Sequence, residues 1–300
     1  MKKVICVGIT VLDQIFKVSK IPNQPIKNFA TDYYVSGGGN AATAAVAISR
    51  AGGDAVFWGR IGDDYNGELI LKELGDLGVY IQDVIRIPDV RSSVSSILID
   101  KNGERLITNY TDPKLISESG RIPIEKLSDA NAVLIDFRWG EGAIKVANQA
   151  KKIGIPVVLD ADLSPEGISE AIISKSTHVI FSKPALDEFS RGQAIKSALN
   201  SVREINNGWV GVTEGSNGTT WLEKDVLKYF PAYKVNVVNT LGAGDVFHGI
   251  FALCLSEDKN EEKAIYFASA AAAIHCSRSG GRESIPNLKE IKNFLKKYPL

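Results

Sequence analysis

The sequence predicts an α/β fold, in which a mostly parallel sheet lies between helices and a small second sheet is attached. Short apolar runs of the buried-strand type alternate with helical segments along most of the chain, at the spacing of βαβ units. Two early segments instead alternate polar and apolar residues, as strands with one solvated face do. The 300 residues, 44% of them apolar, suffice for a sizeable core, and no linker or repeat divides them. We therefore expect one domain spanning residues 1–300.

The first apolar run, Val4 to Leu12, predicts a buried strand. Lys2 and Lys3 precede it, as in a short signal peptide, but Asp13 and Gln14 close the run without a small-x-small cleavage site. No stretch approaches the ~20 apolar residues that a membrane span requires. The three cysteines are scattered and odd in number, which favours reduced thiols over disulfides. These features favour a cytoplasmic protein with no membrane partner.

The charge balance argues against one class of partner. Lys and Arg together number 35, and so do Asp and Glu, which gives a formal net charge of zero. A protein that binds nucleic acid needs a basic surface, and the sequence contains no block of like charge. We therefore expect no nucleic acid partner.

The small sheet is predicted from two segments, about residues 14–35 and 92–110. The alternation of polar and apolar residues is clearest over residues 28–35 and over the second segment. In the second segment, Asn102-Gly103 separates two β-rich runs, and Asn-Gly in this position is the strongest short signal for a hairpin.

The remaining elements build the main sheet and its helices. Ala41 to Arg50 is an Ala-rich helix that ends at Gly52-Gly53, a helix stop signal. Further buried strands are predicted at Val133–Asp136, Val157–Asp160, His178–Phe181 and Trp209–Thr213.

The sharpest chemical signal is Gly242-Ala243-Gly244-Asp245, where a helix predicted over Val246 to Leu255 begins. Small residues let backbone N–H groups approach a ligand, and a helix N-terminus attracts anions. The helix dipole should keep Asp245 ionised, and a carboxylate beside a bound phosphate can deprotonate the attacking hydroxyl. A glycine loop with Asp as its helix cap would contain the same residues, so this element alone leaves both interpretations open.

Three other glycine-rich turns follow predicted strands or precede a helix. They are Gly37-Gly38-Gly39 before the Ala-rich helix, Gly59 to Gly67, and Val212-Thr213-x-Gly215-x-x-Gly218. Each is weak by itself, because glycine loops end strands in any α/β protein. Their order along the chain is the informative feature.

In that order, these elements resemble those of the ribokinase-like (PfkB) carbohydrate kinases over essentially the whole chain. The resemblance extends to Gly8 to Asp13 near the N-terminus and to Arg278-Ser279-Gly280-Gly281 near the C-terminus. It implies a ribokinase-like, Rossmann-type core with a small β-sheet lid. It also implies phosphoryl transfer from ATP, with Mg²⁺, to a hydroxyl of a small-molecule sugar.

The resemblance also implies roles for individual residues. At the matching positions, Asp245 is the catalytic base and the amides of Gly242, Ala243 and Gly244 form the anion hole. Thr213, Gly215 and Gly218 line the nucleotide site. Asp13, Gly38 and Gly39 hold sugar hydroxyls.

Three departures from the family pattern argue against ribokinase itself. Asn239-Thr240 stands where the family usually has Asp-Thr, which puts activation by monovalent ions in doubt. Ser182-Lys183-Pro184-Ala185 stands where the family has the Asn-x-x-Glu motif that organises Mg²⁺ through water, so we assign no metal ligands. Lys183 in this segment either contributes positive charge to a bound phosphate or faces the solvent. Thr43 aligns with a sugar-contacting Asn, and we count it among the substrate-binding residues.

As a set, these departures are similar to those of one branch, the sulfofructose kinases. Arg138-Trp139 and the runs 7–13, 41–47 and 242–249 support the likeness. Such a substrate is a ketose with a permanent anion at C6 that accepts phosphate at C1. Its anion requires donors remote from the catalytic base, and Lys27, Asn109 and Arg138 match the anion-binding positions of that branch.

Two alternatives remain open at this stage. A kinase of a neutral sugar such as fructose or ribose would not need Lys27 and Arg138, which would then be ordinary surface cations. A non-catalytic sugar- or nucleotide-binding protein on the same scaffold would not need Asp245. In either kinase, we expect a homodimer that pairs through the lid, because a small sheet exposes an edge and an apolar face.

Overall fold

The architecture comes from a computed structural model that describes residues 1–117 and 122–298. Numbered in chain order, the eight strands of the large sheet lie in the spatial order β14 (Val226–Phe230), β13 (Thr219–Glu223), β12 (Trp209–Thr213), β11 (His178–Ser182), β10 (Val157–Ala161), β9 (Ala132–Asp136), β1 (Lys3–Val7) and β4 (Asp54–Trp58). The six strands β12, β11, β10, β9, β1 and β4 run parallel to one another. β13 pairs antiparallel with β12 on one side and with β14 on the other. This arrangement confirms the predicted α/β class.

Helices cover both faces of the large sheet, which is why its inner strands are almost entirely apolar. Val4 and Cys6 of β1 pack with one helix layer, and Ile5 and Val7 pack with the other. The first layer contains α1 (Asn40–Arg50), α2 (Tyr65–Asp76), α8 (Ala243–Ser256), α9 (Glu261–Cys276) and α10 (Leu288–Leu295). The second contains α4 (Gly140–Ile153), α5 (Glu170–Ile173), α6 (Lys183–Ser190) and α7 (Ile195–Ile205), and a short α3 spans Pro113–Ser117.

A second sheet of four strands draws on the two early segments. Its order is β3 (Asp32–Gly38), β2 (Val11–Lys17), β7 (Val94–Ile99) and β8 (Arg105–Tyr110). β2 and β7 pair in parallel, and the outer pairs are antiparallel. The hairpin predicted at Asn102-Gly103 is present, with Gly103 at a φ of +80° and its N–H donating to the Asp100 carbonyl over 3.0 Å. β5 (Arg60–Gly62) and β6 (Ile85–Ile87) form a separate two-stranded ladder.

Two sequence predictions about strands are wrong in detail. The run Val4 to Leu12 is not one strand, because β1 ends at Val7 and β2 begins at Val11 in the other sheet. Gly8 occupies the break, where an added Cβ would lie 2.0 Å from Oδ2 of Asp136. Residues 28–31 also lie outside β3, which begins at Asp32.

Asp136 is buried at the end of β9 and ties three segments together. Its Oδ2 accepts hydrogen bonds from the N–H of Ile9 at 2.9 Å and of Ala41 at 3.3 Å, and its Oδ1 accepts from Arg138 N–H at 2.9 Å. β4 and β9 lie on opposite sides of β1, so the connections leaving β1 and β9 diverge at this point. In open α/β sheets, such a switch point beyond the strand ends is where ligands bind.

Hydropathy along the helices allows one statement about membranes. Within residues 1–117 and 122–298, no helix is both long enough and apolar enough to span a bilayer.

We expect Asp136→Ala to lower the free energy of unfolding by about 3 kcal/mol, because it leaves buried N–H groups without an acceptor. Urea unfolding followed by fluorescence measures the loss. The control is Glu204→Ala on the exposed side of α7, which should change stability by no more than ~0.5 kcal/mol. Equal effects of the two substitutions would contradict the role assigned to Asp136.

Candidate active site

A cavity of about 1110 Å³ opens where the carboxyl ends of the large sheet meet the small sheet. Its size exceeds that of a typical drug-sized ligand site, so two ligands can bind side by side. All the site residues predicted from the sequence line it, except Lys27.

The first turn of α8 forms one wall of the cavity. Gly242 has a φ of +76°, which favours glycine, and no atom lies within 4 Å of where a Cβ of Gly244 would be. The first regular helical hydrogen bond runs from Val246 N–H to the Gly242 carbonyl over 2.9 Å. Ala243 N–H donates to the Thr240 carbonyl at 3.3 Å, whereas the N–H groups of Gly242, Gly244 and Asp245 have no acceptor among the described residues and can donate to an anion.

Asp245 is half-buried on this wall, and its Oδ1 accepts a hydrogen bond from Asn40 Nδ2 at 3.2 Å. Burial raises the pKa of Asp245 well above its usual 3.8, and the negative charges of Asp160 and Asp162 add to that shift. The helix dipole, which we expected to keep Asp245 ionised, therefore acts against burial and two neighbouring negative charges.

Asn40, Asp160 and Asp162 belong to the site and were missed in the sequence. Asn40 Nδ2 also donates to Oδ2 of Asp160 at 3.3 Å, and burial raises the pKa of Asp160 to about 6. Asp162 lines the cavity and accepts a hydrogen bond from Ser182 Oγ at 2.7 Å. A signal was available, because Asp160 ends a predicted buried strand and Asp162 follows it, and the carboxyl ends of parallel strands meet at one edge of the sheet.

Asp13 lies on β2 with only 7% of its surface exposed. Burial raises the pKa of Asp13 to about 6, and a hydrogen bond from Ser95 together with the positive charge of Arg282 opposes that shift. An added Cβ on Gly38 would lie 2.0 Å from the Asp13 carboxylate, so the glycine makes room for it.

Arg282 is the other functional candidate that the sequence reasoning missed, although it directly follows the quoted Gly280-Gly281. Its side chain is fully buried, with Nε donating to Thr43 Oγ1 at 3.2 Å and Nη2 to the Gly38 carbonyl at 2.5 Å. Thr43 therefore lines the cavity as an acceptor for Arg282. The positive charge of the guanidinium opposes the rise in the pKa of both Asp13 and Asp245, which burial causes.

The turn after β12 forms another part of the cavity wall. Thr213 Oγ1 donates to the Phe181 carbonyl at 3.3 Å, and Gly218 N–H closes the turn on the Gly215 carbonyl at 3.1 Å. An added Cβ on Gly218 would lie 2.1 Å from the Phe230 carbonyl oxygen, whereas the Cβ position of Gly215 is open. The backbone of Gly215 is thus accessible to a ligand.

Asn109 and Arg138 meet on the cavity wall from different parts of the fold. Arg138 follows β9 of the large sheet, and its Nη2 donates to Oδ1 of Asn109 on β8 at 3.0 Å. Asn109 Nδ2 in turn donates to Ser95 Oγ at 3.2 Å. Lys27 does not join them: it is exposed on the segment between β2 and β3 and is not part of the cavity wall.

Comparison with known proteins decides the family. The profile of the pfkB family carbohydrate kinases matches residues 1–288. The chain belongs to this family.

Solved and curated relatives are similar to this kinase over its whole length. A crystal structure from Agrobacterium tumefaciens, provisionally described as a ribokinase, superposes with a TM-score of 0.94 at 34% identity, covering 99% of this chain and 98% of the other. Ribokinase of Lactococcus lactis subsp. lactis is 26% identical over 302 residues, covering 100% of this chain and 99% of that protein. The bifunctional ribokinase/ribose-5-phosphate isomerase A of Fructilactobacillus sanfranciscensis is 28% identical over 307 residues, and the match covers 98% of this chain but only 56% of that longer protein.

Two departures of this kinase from the family pattern have structural explanations. Asn239 Oδ1 accepts from Leu241 N–H at 2.9 Å while its Nδ2 donates to the Gly280 carbonyl at 3.0 Å, and an aspartate could not donate the second bond. Lys183 Nζ lies 2.6 Å from both carboxylate oxygens of Asp187, so its charge is paired within α6 although it lines the cavity.

We expect Asp13→Asn to raise the melting temperature of this kinase near pH 8 and to leave it almost unchanged near pH 4. The folded protein holds the Asp13 proton with a pKa of about 6, against 3.8 for the ordinary group, so stability is lost as the pH rises through this interval. Two pKa units correspond to ~3 kcal/mol at full ionisation.

Scanning fluorimetry of both proteins between about pH 4 and pH 8 measures this difference. Asp129→Asn, on an exposed residue, is the control and should leave the melting temperature unchanged. A difference between Asp13→Asn and wild type that stays constant with pH would contradict the prediction.

Proposed function

We propose that this kinase transfers the γ-phosphate of ATP to the C1 hydroxyl of a ketose that bears a permanent anion at C6, such as 6-deoxy-6-sulfofructose. The observation that carries the proposal is the Arg138 guanidinium on the cavity wall, held by the neutral side chain of Asn109. The resemblance to the sulfofructose kinases supports the same substrate class.

The charge of Arg138 is available to a ligand. Among residues 1–117 and 122–298, no carboxylate oxygen lies within 4 Å of its guanidinium, which distinguishes it from Lys183 and Arg282. A guanidinium presents a planar set of donors that matches an oxyanion, and hydrogen bonds to charged groups are about twice as strong as neutral ones. Arg105 also lines the cavity and adds positive charge on the side of the small sheet.

The reacting end of the sugar faces Asp245 in this proposal. A carboxylate with a raised pKa accepts a proton from the sugar hydroxyl more readily than an ordinary aspartate does. The N-terminus of α8 stabilises the transferred phosphoryl group through the amides of Gly242, Gly244 and Asp245. Asn40 fixes the orientation of the Asp245 carboxylate.

The nucleotide binds at the turn after β12 in this proposal, with its phosphates directed toward α8. Gly215 leaves its backbone open to ATP, and Thr213 and Gly218 shape the turn around it. Mg²⁺ in such sites is held by one or two carboxylates, substrate phosphates and water, and Asp162 with Ser182 supplies a donor set of this kind. When bound, Mg²⁺ neutralises charge on the phosphates.

The remaining parts of the proposal concern the whole molecule. Residues 1–300 act as one domain in the cytoplasm, and the small sheet acts as a lid that closes over the sugar and excludes water. Leu106 and Ile107 of β8 and Tyr33 and Val35 of β3 are exposed apolar side chains on this sheet. We propose that two copies pair there as a homodimer.

A kinase of a neutral sugar is the second candidate. The similarity to ribokinases from two lactic acid bacteria favours it, because those proteins are named for a neutral pentose. The two candidates differ in whether the Arg138 side chain is needed to bind the sugar.

We expect sulfofructose to be phosphorylated more efficiently than fructose 6-phosphate, fructose or ribose, measured as ADP release with Mg-ATP. Arg138→Ala should raise KM for sulfofructose about 10- to 100-fold, the range for a lost charged hydrogen bond, and change the kinetics of neutral sugars little. Lys27→Ala tests whether that exposed lysine contributes, and Asp245→Asn is the inactive control.

Equal or better use of fructose or ribose by the wild type would reject the anionic substrate and leave the neutral-sugar kinase. ADP release that persists in Asp245→Asn would reject the assigned base.

We expect kcat, measured at saturating sugar and ATP, to fall at acidic pH with a midpoint well above the 3.8 of an ordinary aspartate, because Asp245 must be deprotonated to act. Asp160→Asn should move this midpoint to lower pH, since it removes a negative charge that raises the pKa of Asp245. A profile that is the same in both proteins would argue against Asp245 as the titrating base. Mass spectrometry of the phosphorylated ketose would identify the product in parallel.

A further inference from the structure

Arg60 is a buried arginine beside the cavity that no part of the proposed reaction uses. It begins β5, is 7% exposed and does not belong to the cavity wall. Its guanidinium stacks on Trp139, with Cζ 4.2 Å from the centre of the ring. Nη2 donates to the backbone carbonyl of Arg138 at 3.3 Å.

The burial of Arg60 is energetically unfavourable. In the described part of the chain, Nε and Nη1 have no hydrogen-bond partner, and no carboxylate oxygen lies within 4 Å. Burial lowers the pKa of Arg60 to about 9, and only the more distant charges of Asp136 and Glu166 oppose that shift. The side chain therefore stays charged at neutral pH. A buried charge without a paired acid is usually less stable than an apolar residue of similar size.

Arg60 contacts the turn that carries Arg138. Phe137–Trp139 forms one turn of 3₁₀ helix between β9 and α4, and Arg138 is its middle residue. Asp136 Oδ1 binds the Arg138 N–H at 2.9 Å, and Arg60 binds the Arg138 carbonyl on the other side of the same residue. Trp139 is packed against Gly142, where an added Cβ would lie 2.4 Å from the ring. The main chain of Arg138 is thus fixed at its N–H, at its carbonyl and at the next side chain.

We propose that Arg60 is a positioning residue that fixes the backbone of Arg138 so that its guanidinium points at the substrate anion. This inference rests on the proposed function, in which Arg138 binds the C6 anion. Arg60 does not touch the substrate in this account. It acts through Arg138, whose side chain donates a hydrogen bond to Asn109 on the cavity wall.

The test is a double-mutant cycle with Arg60→Met and Arg138→Ala, with KM for sulfofructose as the readout. Arg60→Met should raise KM about fivefold or more in the wild-type background and have no further effect once Arg138 is alanine. KM for ATP and kcat should stay within about twofold, and the melting temperature should be equal or higher, because a buried unpaired charge is removed. A purely structural role would instead lower the melting temperature and leave KM unchanged.

Two further variants serve as controls. Arg60→Lys keeps a donor for the Arg138 carbonyl but loses the planar stack on Trp139, so it should recover part of the KM. Arg50→Met also removes an arginine that donates to a backbone carbonyl, that of Ile285, but this residue lies away from the cavity wall. It should leave KM unchanged.

The outcomes separate this inference from the proposed function. If the wild type shows no preference for sulfofructose, the proposed function fails, and the cycle is measured on the sugar that the wild type phosphorylates best. Coupling between the two arginines on that sugar supports the positioning role. Independent effects of the two substitutions, or an unchanged KM in Arg60→Met, overturn it.

Discussion

The site depends on the Asp136 carboxylate, which accepts hydrogen bonds from three backbone N–H groups at the switch point of the large sheet. These donors come from the break between β1 and β2, from the start of α1 and from the turn after β9. Each of these segments then carries cavity residues: Asp13 on β2, Asn40 and Thr43 on α1, and Arg138 on the turn. Because one buried group sets all three directions, the sheet ends and the small sheet converge on one cavity.

The cavity concentrates negative charge that the protein only partly compensates. Burial raises the pKa of Asp13, Asp160 and Asp245, and Arg282 is the fully buried cation that faces the first and last of them. Raised values mean that carboxylates are kept in an environment that favours their protonated form. Proteins tolerate such an arrangement where a proton must be accepted, and that is the chemistry proposed for Asp245.

The sequence was sufficient for the fold class, the hairpin at Asn102-Gly103 and the helix that begins next to Gly242, since these follow from local patterns. It did not predict the break at Gly8, because the reason for that break is a carboxylate 128 positions further along the chain. Arg282 and Asn40 were missed for a related reason. Their partners, Thr43 and Asp245, lie far away in sequence, and only folding brings them together. The raised pKa of Asp245 could not be predicted from the local sequence, because it comes from burial and from carboxylates that only folding brings close.

Besides Arg105 on the small sheet, three arginines lie around the cavity, and they differ in which groups neutralise their charge. Arg282 is surrounded by acids and compensates Asp13 and Asp245, so its charge is already used within the protein. Arg60 has no paired acid in the described part of the chain, but it stacks on Trp139 and does not line the cavity. Arg138 alone of the three combines a position on the cavity wall with an uncharged partner. An anion on the sugar gains most from this guanidinium, since binding there requires no existing ion pair to break.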